Sequence, residues 1–300
     1  MRDTPWGPLA VADAHVHLFS PKFFATLAQQ KGVSSADVLG QLHWQLPEKL
    51  AHAWVRELDQ QGVEKSVLIA SIPGDAESVI AAVDGLPHRF YGYAMVNPSA
   101  PGALEEADAA LASGHIHALC FFPAMHRYSI QDERAMAIIE LLAARPRTAA
   151  FVHCGVLSVG VRKMLGLASP FDLKFSNPID LHAVALRFPQ VRFIVPHFGA
   201  GYFREAMMLC DLCPNVYLDT SSSNRWMRYE EAHLDLRAVF RRALDVVGPE
   251  RLLFGTDSSF FPRGWNAEVF EAQTKALYEI GVNADAARGI LHDNLVRIFA

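Results

Sequence analysis

The stretch "VADAHVHLF", residues 11–19, decides the fold. It sets Asp13, His15 and His17 at every second position. Side chains alternate along a β-strand, so His15 and His17 share one face. Two imidazoles on one face suit a metal ion. The same spacing also fits a strand that merely carries polar residues, and the rest of the chain must choose between the two.

Seven more strand-like runs follow the first, "LAVADAHVHL": "VEKSVLIAS", "FYGYAMVN", "IHALCFFP", "TAAFVHCG", "RFIVPHFG", "NVYLDTS" and "RLLFGTDS". Helical patterns lie between them, at 47–61, 76–85, 101–113, 131–144, 178–188, 202–212, 230–247 and 267–279, with a last one at 284–299. Near-continuous apolar strands separated by helices mean a parallel sheet buried on both faces. Eight such units predict a (β/α)8 barrel as a single domain over residues 1–300. Residues 20–44 form an insertion after the first strand and are expected over the barrel mouth.

Bulk composition is consistent with this. With 51% hydrophobic and 20% charged residues, the chain reads as a globular protein with a large core. A net charge of -5 and no basic run give no reason to expect nucleic acid. No apolar stretch is long enough to cross a bilayer. The N-terminal "MRDTPWGPLA" lacks the apolar core of a signal peptide, so a cytoplasmic protein is expected, as a possible homodimer. Cys120, Cys154, Cys210 and Cys213 form neither a disulfide framework nor a zinc-ribbon pattern.

In a (β/α)8 barrel the C-terminal strand ends build the site. Here they carry His15 and His17, His153, His197 and Asp257. Taken singly, each has a plain structural reading: a satisfied core histidine, or a helix N-cap for Asp257. Together they make a nitrogen and oxygen donor set suited to Zn²⁺, with Mn²⁺, Fe²⁺ or Co²⁺ as other occupants. Such a metal lowers the pKa of a bound water to about 7 and polarises a carbonyl. A second HxH, His115 and His117, lies at the start of its strand. Its parity is opposite to that of Cys120, so the pair is expected to point away from the lumen.

The segments "DAHVHLF", "FVHCG", "FIVPHFGAG", "NVYLDTSSS", "LLFGTDSSFFP" and "ILHDNLVRIF" resemble the signature strands and closing helix of the amidohydrolase superfamily. The likeness is to its amidohydrolase-related branch of metal-dependent hydrolases, dicarboxylate lactonases and non-oxidative decarboxylases. It implies that His15, His17, His153 and Asp257 are metal ligands and that Asp257 also takes a proton from water. His197 is implied either as ligand to a second metal or as the residue that orients water or assists protonation. Where many relatives have a lysine at the end of strand 4, this chain has Cys120. A thiolate there could bridge two zinc ions, or a thiol could simply line a mononuclear site.

Loops at the mouth are cationic and aromatic: "PAMHRYS", "SSSNRWMRYE" and "SSFFPRGWN". His126, Arg127, Arg225, Arg228, Arg263 and Trp265 are candidate substrate contacts, because arginine binds carboxylates in a fork. Arg263 is the foremost, being close after Asp257. Asp219 either supports a ligand histidine from behind or is a satisfied polar residue. The expected activity is hydrolysis of an ester, lactone or amide in a small carboxylate-bearing substrate. Decarboxylation of a phenolic or enol-type acid is the alternative.

Overall fold

The computed structural model describes residues 1–221, 224–230 and 234–300. Strand β1 is split into Ala12–Asp13 and His17–Leu18; β2 is Lys65–Ala70, β3 Phe90–Val96, β4 Ile116–Phe121, β5 Ala149–Val152, β6 Arg192–Val195, β7 Val216–Asp219 and β8 Leu252–Leu253. Each lies parallel to the next in chain order. The ring closes where the chain beyond β8 meets β1. Ala14 N donates to Phe254 O at 2.8 Å, Asp257 N to His15 O at 2.9 Å and His17 N to Ser258 O at 2.7 Å. This is the expected (β/α)8 barrel.

Alternation along the strands separates two apolar layers. Val67, Ile69, Ala118, Cys120, Phe151 and Ile194 fill the interior. Their neighbours Leu68, Ala70, Leu119, Phe121, Val152 and Phe193 face the outer helices. Both faces are dry, which is why the strand sequences lack polar alternation. At the lower end Leu295, Ile298 and Phe299 of the last helix plug the interior. Asn294 fixes that helix by donating from Nδ2 to the carbonyls of Pro249 and Leu252.

The outer helices are α1 Pro21–Lys31, α2 Ser35–Leu42, α3 Leu50–Gln60, α4 Ala76–Gly85, α5 Ala103–Ala112, α6 Glu133–Ala143, α7 His182–Arg187, α8 Phe203–Leu212, α9 Leu236–Val246 and α10 Ala267–Glu279. Residues 20–44 hold α1 and α2. Ser20 caps α1 by accepting from Phe23 N, and Gly32 ends it in the left-handed region. Ser34 and Asp37 form a reciprocal capping box on α2. Phe23 and Trp44 from this segment, with Phe19 just before it, line the cavity above the strand ends. No helix among the described residues is long and apolar enough to cross a membrane.

Four features depart from the sequence-based expectations. The helix expected from Glu230 begins at Leu236, where Asp235 caps it by accepting from Ala238 N; residues 231–233 lie outside the described residues. The terminal helix is interrupted by a π turn at Gly289–Asp293. Strand β8 stops at Leu253, so Asp257 arrives on irregular backbone with φ 60° rather than by strand alternation. In β4 the register shifts opposite Gly92 and Tyr93, leaving His117 as an extra residue. That bulge breaks the parity. His117 therefore packs at 5.1 Å from Tyr91 and 5.5 Å from Phe299, at the barrel's lower end, instead of turning away from the lumen. His115 pairs with Asp84 at 3.2 Å.

Two left-handed glycines separate strain from crowding. A Cβ on Gly155 (φ +79°) would lie 2.2 Å from Gly199 O and 2.4 Å from Ala200 O, whereas Gly166 (φ +70°) faces open space. Gly166→Ala should therefore cost only the conformational strain, about 1–3 kcal/mol. Gly155→Ala should cost clearly more, read as a lower urea midpoint. Equal midpoints for the two variants would show that the β5–β6 loops yield freely.

Candidate metal centre

Three donors converge above β1. His15 Nε2 lies 3.3 Å from His17 Nε2. Asp257 Oδ1 lies 3.5 Å from the first and 3.4 Å from the second. Among the described residues this is the one set of three His, Cys, Asp or Glu donors close enough to hold an ion together. Ligands of a tetrahedral zinc at about 2.0–2.2 Å stand about 3.3–3.6 Å apart. The triangle fits that spacing, and two imidazoles and one carboxylate are the donors such an ion takes.

Each donor is held from behind. His15 Nδ1 donates to Asp219 Oδ2 at 2.6 Å, which turns Nε2 toward His17 and Asp257. His17 Nδ1 lies 2.9 Å from Ser71 Oγ. Asp219 Oδ1 also accepts from Ser221 N at 2.7 Å. Of the two readings of Asp219, the geometry matches the support for a ligand histidine. Behind β1, the buried Asp13 carboxylate accepts from His15 N (2.9 Å), Thr256 N (3.1 Å), Thr256 Oγ1 and Trp265 Nε1 (2.7 Å). It ties the strand bearing the two histidines to the segment bearing Asp257.

The electrostatics favour a cation. Burial opposes charge on His15, but the charge and hydrogen bond of Asp219, with Asp257 and Asp13 beyond, outweigh it and push its pKa up to about 9. Burial likewise raises Asp257, yet the His17 hydrogen bond and the neighbouring histidines bring it down to about 2. The cluster thus holds a proton where a metal would sit. His153 is held well below the ordinary range, first by burial and then by His197 and His15. Burial also lowers His197.

His153 and His197 line the same cavity as the triad, their rings 5.4 Å apart. Neither belongs to the close donor set, so the expected ligand His153 stands apart from it, its Nδ1 buried without a hydrogen-bond partner. Both residues lie just past their strands. His197 opens a run of five positive-φ residues through Gly201. Cys120 points into the barrel interior and is fully buried. Burial pushes its thiol well above the usual range, and it too is outside the donor set. Cys154 faces the outer layer.

The cavity above the triad measures about 470 Å³ and is mainly apolar, with Phe19, Trp44, Phe122, Met125 and Phe261 in its wall. Arg225 and Arg228 line it; Ser222 and Ser223 of the same loop lie outside the described residues. Four expected substrate contacts are not brought to it. Arg263 is exposed and off the lining. Glu57 causes this by accepting from Trp265 N at 3.0 Å and drawing the loop toward α3. Trp265 is buried, with Nε1 on Asp13. His126 packs beside Tyr128, and burial lowers its pKa to about 4. Arg127 donates to Pro170 O. Ser71 and Ser221, which contact the histidines directly, carry no sequence signal beyond lying at strand ends.

Comparison with known proteins agrees with the fold. Protein fluG of Emericella nidulans is 30% identical over 139 residues, which are 43% of this chain and 16% of that protein; the chain thus matches only a small part of that relative's length. Among solved structures, 5-carboxyvanillate decarboxylase LigW from Sphingomonas paucimobilis superposes with a TM-score of 0.66 at 14% identity, covering 97% of this chain and 99% of that one. A probable 2-pyrone-4,6-dicarboxylic acid hydrolase from Acinetobacter baumannii with citric acid bound gives 0.62 at 13%, covering 97% and 99%. An amidohydrolase from Burkholderia multivorans with bound zinc gives 0.64 at 18%, with the same coverage. At such identities these structures speak for the fold alone. The model of one family, described as Amidohydrolase, matches residues 12–300 and so takes in both the barrel and its three converging donors; this chain belongs to the amidohydrolase family.

Proposed function

We propose that the protein is a metal-dependent hydrolase acting on an ester, lactone or amide bond of a small carboxylate-bearing molecule. The observation that carries the reading is the triangle of His15 Nε2, His17 Nε2 and Asp257 Oδ1, spaced for a tetrahedral ion and opening onto the cavity. Zinc is the metal proposed, from two imidazoles and a carboxylate as donors. A bound divalent ion supplies Lewis acidity that polarises a carbonyl and acidifies water.

The chain's own residues do the rest. Asp219 and Ser71 hold His15 and His17 with their Nε2 atoms together. Asp257 is ionised at neutral pH and accepts a proton from the attacking water; as a weak base it passes that proton on. His197 and His153, neutral by burial, stand beside the scissile group. The apolar wall excludes bulk water, and Arg225 takes the substrate carboxylate at the mouth. The aromatic wall favours a second reading, decarboxylation of a phenolic acid, since a dry cavity suits the loss of a charged carboxylate as CO₂. A panel of lactones and phenolic acids, scored for ring opening and CO₂ release, separates the two.

Protein purified without chelator should carry about one zinc per chain. His15 must surrender a proton for the ion to bind. Apparent zinc affinity should therefore fall as pH drops below about 9, by up to about tenfold per unit. A titration monitored by competition with a chromophoric chelator checks this, and flat affinity between pH 6 and 8 would show that His15 holds no proton there.

Asp257→Asn should keep its fold by circular dichroism, lose zinc affinity and lose at least about a hundredfold in turnover. His153→Gln should retain its zinc while losing activity. If it loses zinc as fully as His15→Ala does, His153 is a fourth ligand.

Arg225→Ala should lower kcat/KM for a carboxylate substrate by about ten- to a hundredfold, the worth of a hydrogen bond to a charged group. A neutral analogue should be spared, and Arg263→Ala should be near normal with both. The reverse ranking of the two arginines would show that the substrate enters from the Arg263 side.

A further inference from the structure

Ser221 stands between the two histidines that rise from neighbouring parts of the barrel. Its Oγ lies 2.9 Å from His15 Nδ1 and 3.0 Å from His197 Nδ1, and the residue is fully buried. His197 Nδ1 also lies 3.2 Å from the Ser221 carbonyl oxygen. The protons in this cluster can be placed one by one. Asp219 Oδ2 is 2.6 Å from His15 Nδ1, a separation that two lone pairs cannot share, so His15 Nδ1 carries a proton and donates it. Ser221 Oγ therefore cannot donate to His15. Its one remaining acceptor among the described contacts is His197 Nδ1.

The alternative gives His197 a proton on Nδ1, donated to the Ser221 carbonyl. The serine hydroxyl proton would then be buried with no acceptor. Buried donors without partners are rarer in proteins than under-satisfied carbonyls, which have two lone pairs. The shorter contact agrees, 3.0 Å to Oγ against 3.2 Å to the carbonyl. Strained backbone keeps the ring where this choice matters. His197, Phe198 and Ala200 are all non-glycine residues at positive φ, and the carbonyls of Gly199 and Ala200 in the same run pack against Gly155. Such strain persists only where the surroundings enforce it, and it gathers at functional sites.

We propose that Ser221 is a positioning residue: it donates to His197 Nδ1 and holds His197 as the Nε2–H tautomer, so that His197 offers the substrate a proton rather than a lone pair. His197 is then neither a ligand to a second metal nor a resting base. It is a hydrogen-bond donor to the oxygen that gains charge on the substrate, or the donor of a proton to a leaving group. Its part in turnover rests on the function proposed above; its tautomer does not.

The test is long-range ¹H–¹⁵N correlation on protein with ¹⁵N-labelled histidine rings, as purified and after chelation, with His197 assigned by the signal lost in His197→Gln. The expected pattern is a protonated Nε2 and an unprotonated Nδ1 in both forms. Ser221→Ala leaves His197 Nδ1 only the backbone carbonyl of residue 221, so its tautomer should switch to Nδ1–H, while Asp219 keeps His15 unchanged. Ser221→Thr restores the hydroxyl and should restore the pattern. Loading with ¹¹³Cd should split the ring nitrogens of His15 and His17 but not those of His197. An Nδ1–H signal in the wild type, an unchanged tautomer in Ser221→Ala, or cadmium coupling at His197 would each overturn the proposal. The wild-type spectrum decides even if a variant fails to fold, and no result on the tautomer depends on identifying the substrate.

Discussion

The carboxylate of Asp13 holds the seam on which everything else depends. It is fully buried, and burial pushes its pKa up to about 6. Hydrogen bonds from His15 N, both donors of Thr256 and Trp265 Nε1 keep it tolerable there. Those partners lie on the first strand and just beyond the last, so one side chain braces the seam that the backbone hydrogen bonds close between His15 and Asp257. A buried carboxylate stripped of such donors costs several kcal/mol. The residue is therefore bound to its position by its partners as firmly as it binds them.

Outward from that seam the site is built in two layers. The inner layer is the triangle of His15, His17 and Asp257. The second is Asp219, Ser221 and Ser71, which fix the rings from their far nitrogens. Two groups that face the cavity, His197 and Asp257, sit on left-handed backbone that regular strand geometry does not supply. The rigid barrel absorbs that strain, and the apolar wall from the α1–α2 segment keeps the chemistry dry.

Much of this was legible in the chain. Period-two spacing brought His15 and His17 to one face, and the order of apolar runs and amphipathic helices gave the barrel, because both rest on local patterns that tertiary packing reinforces. Cys120, at its strand end, points into the interior. Parity failed at His117, where a bulge inserts one residue beside Gly92 of the neighbouring strand. Loop positions failed for a different reason. Arg263 follows Asp257 closely in sequence, but Glu57 on α3, two hundred residues earlier, captures the backbone at Trp265 and turns the loop away. Trp265 looked like a mouth residue and is instead a donor to Asp13. Such contacts depend on where distant elements meet, which spacing along the chain does not encode.

The central claim is that one ion sits among His15, His17 and Asp257. Anomalous diffraction collected on both sides of the zinc absorption edge, from crystals of the protein grown without chelator, tests it most directly. The account predicts a single peak about 2.0–2.2 Å from His15 Nε2, His17 Nε2 and an Asp257 oxygen. A peak at Cys120, a second peak held by His197, or zinc bound only at the surface would contradict it.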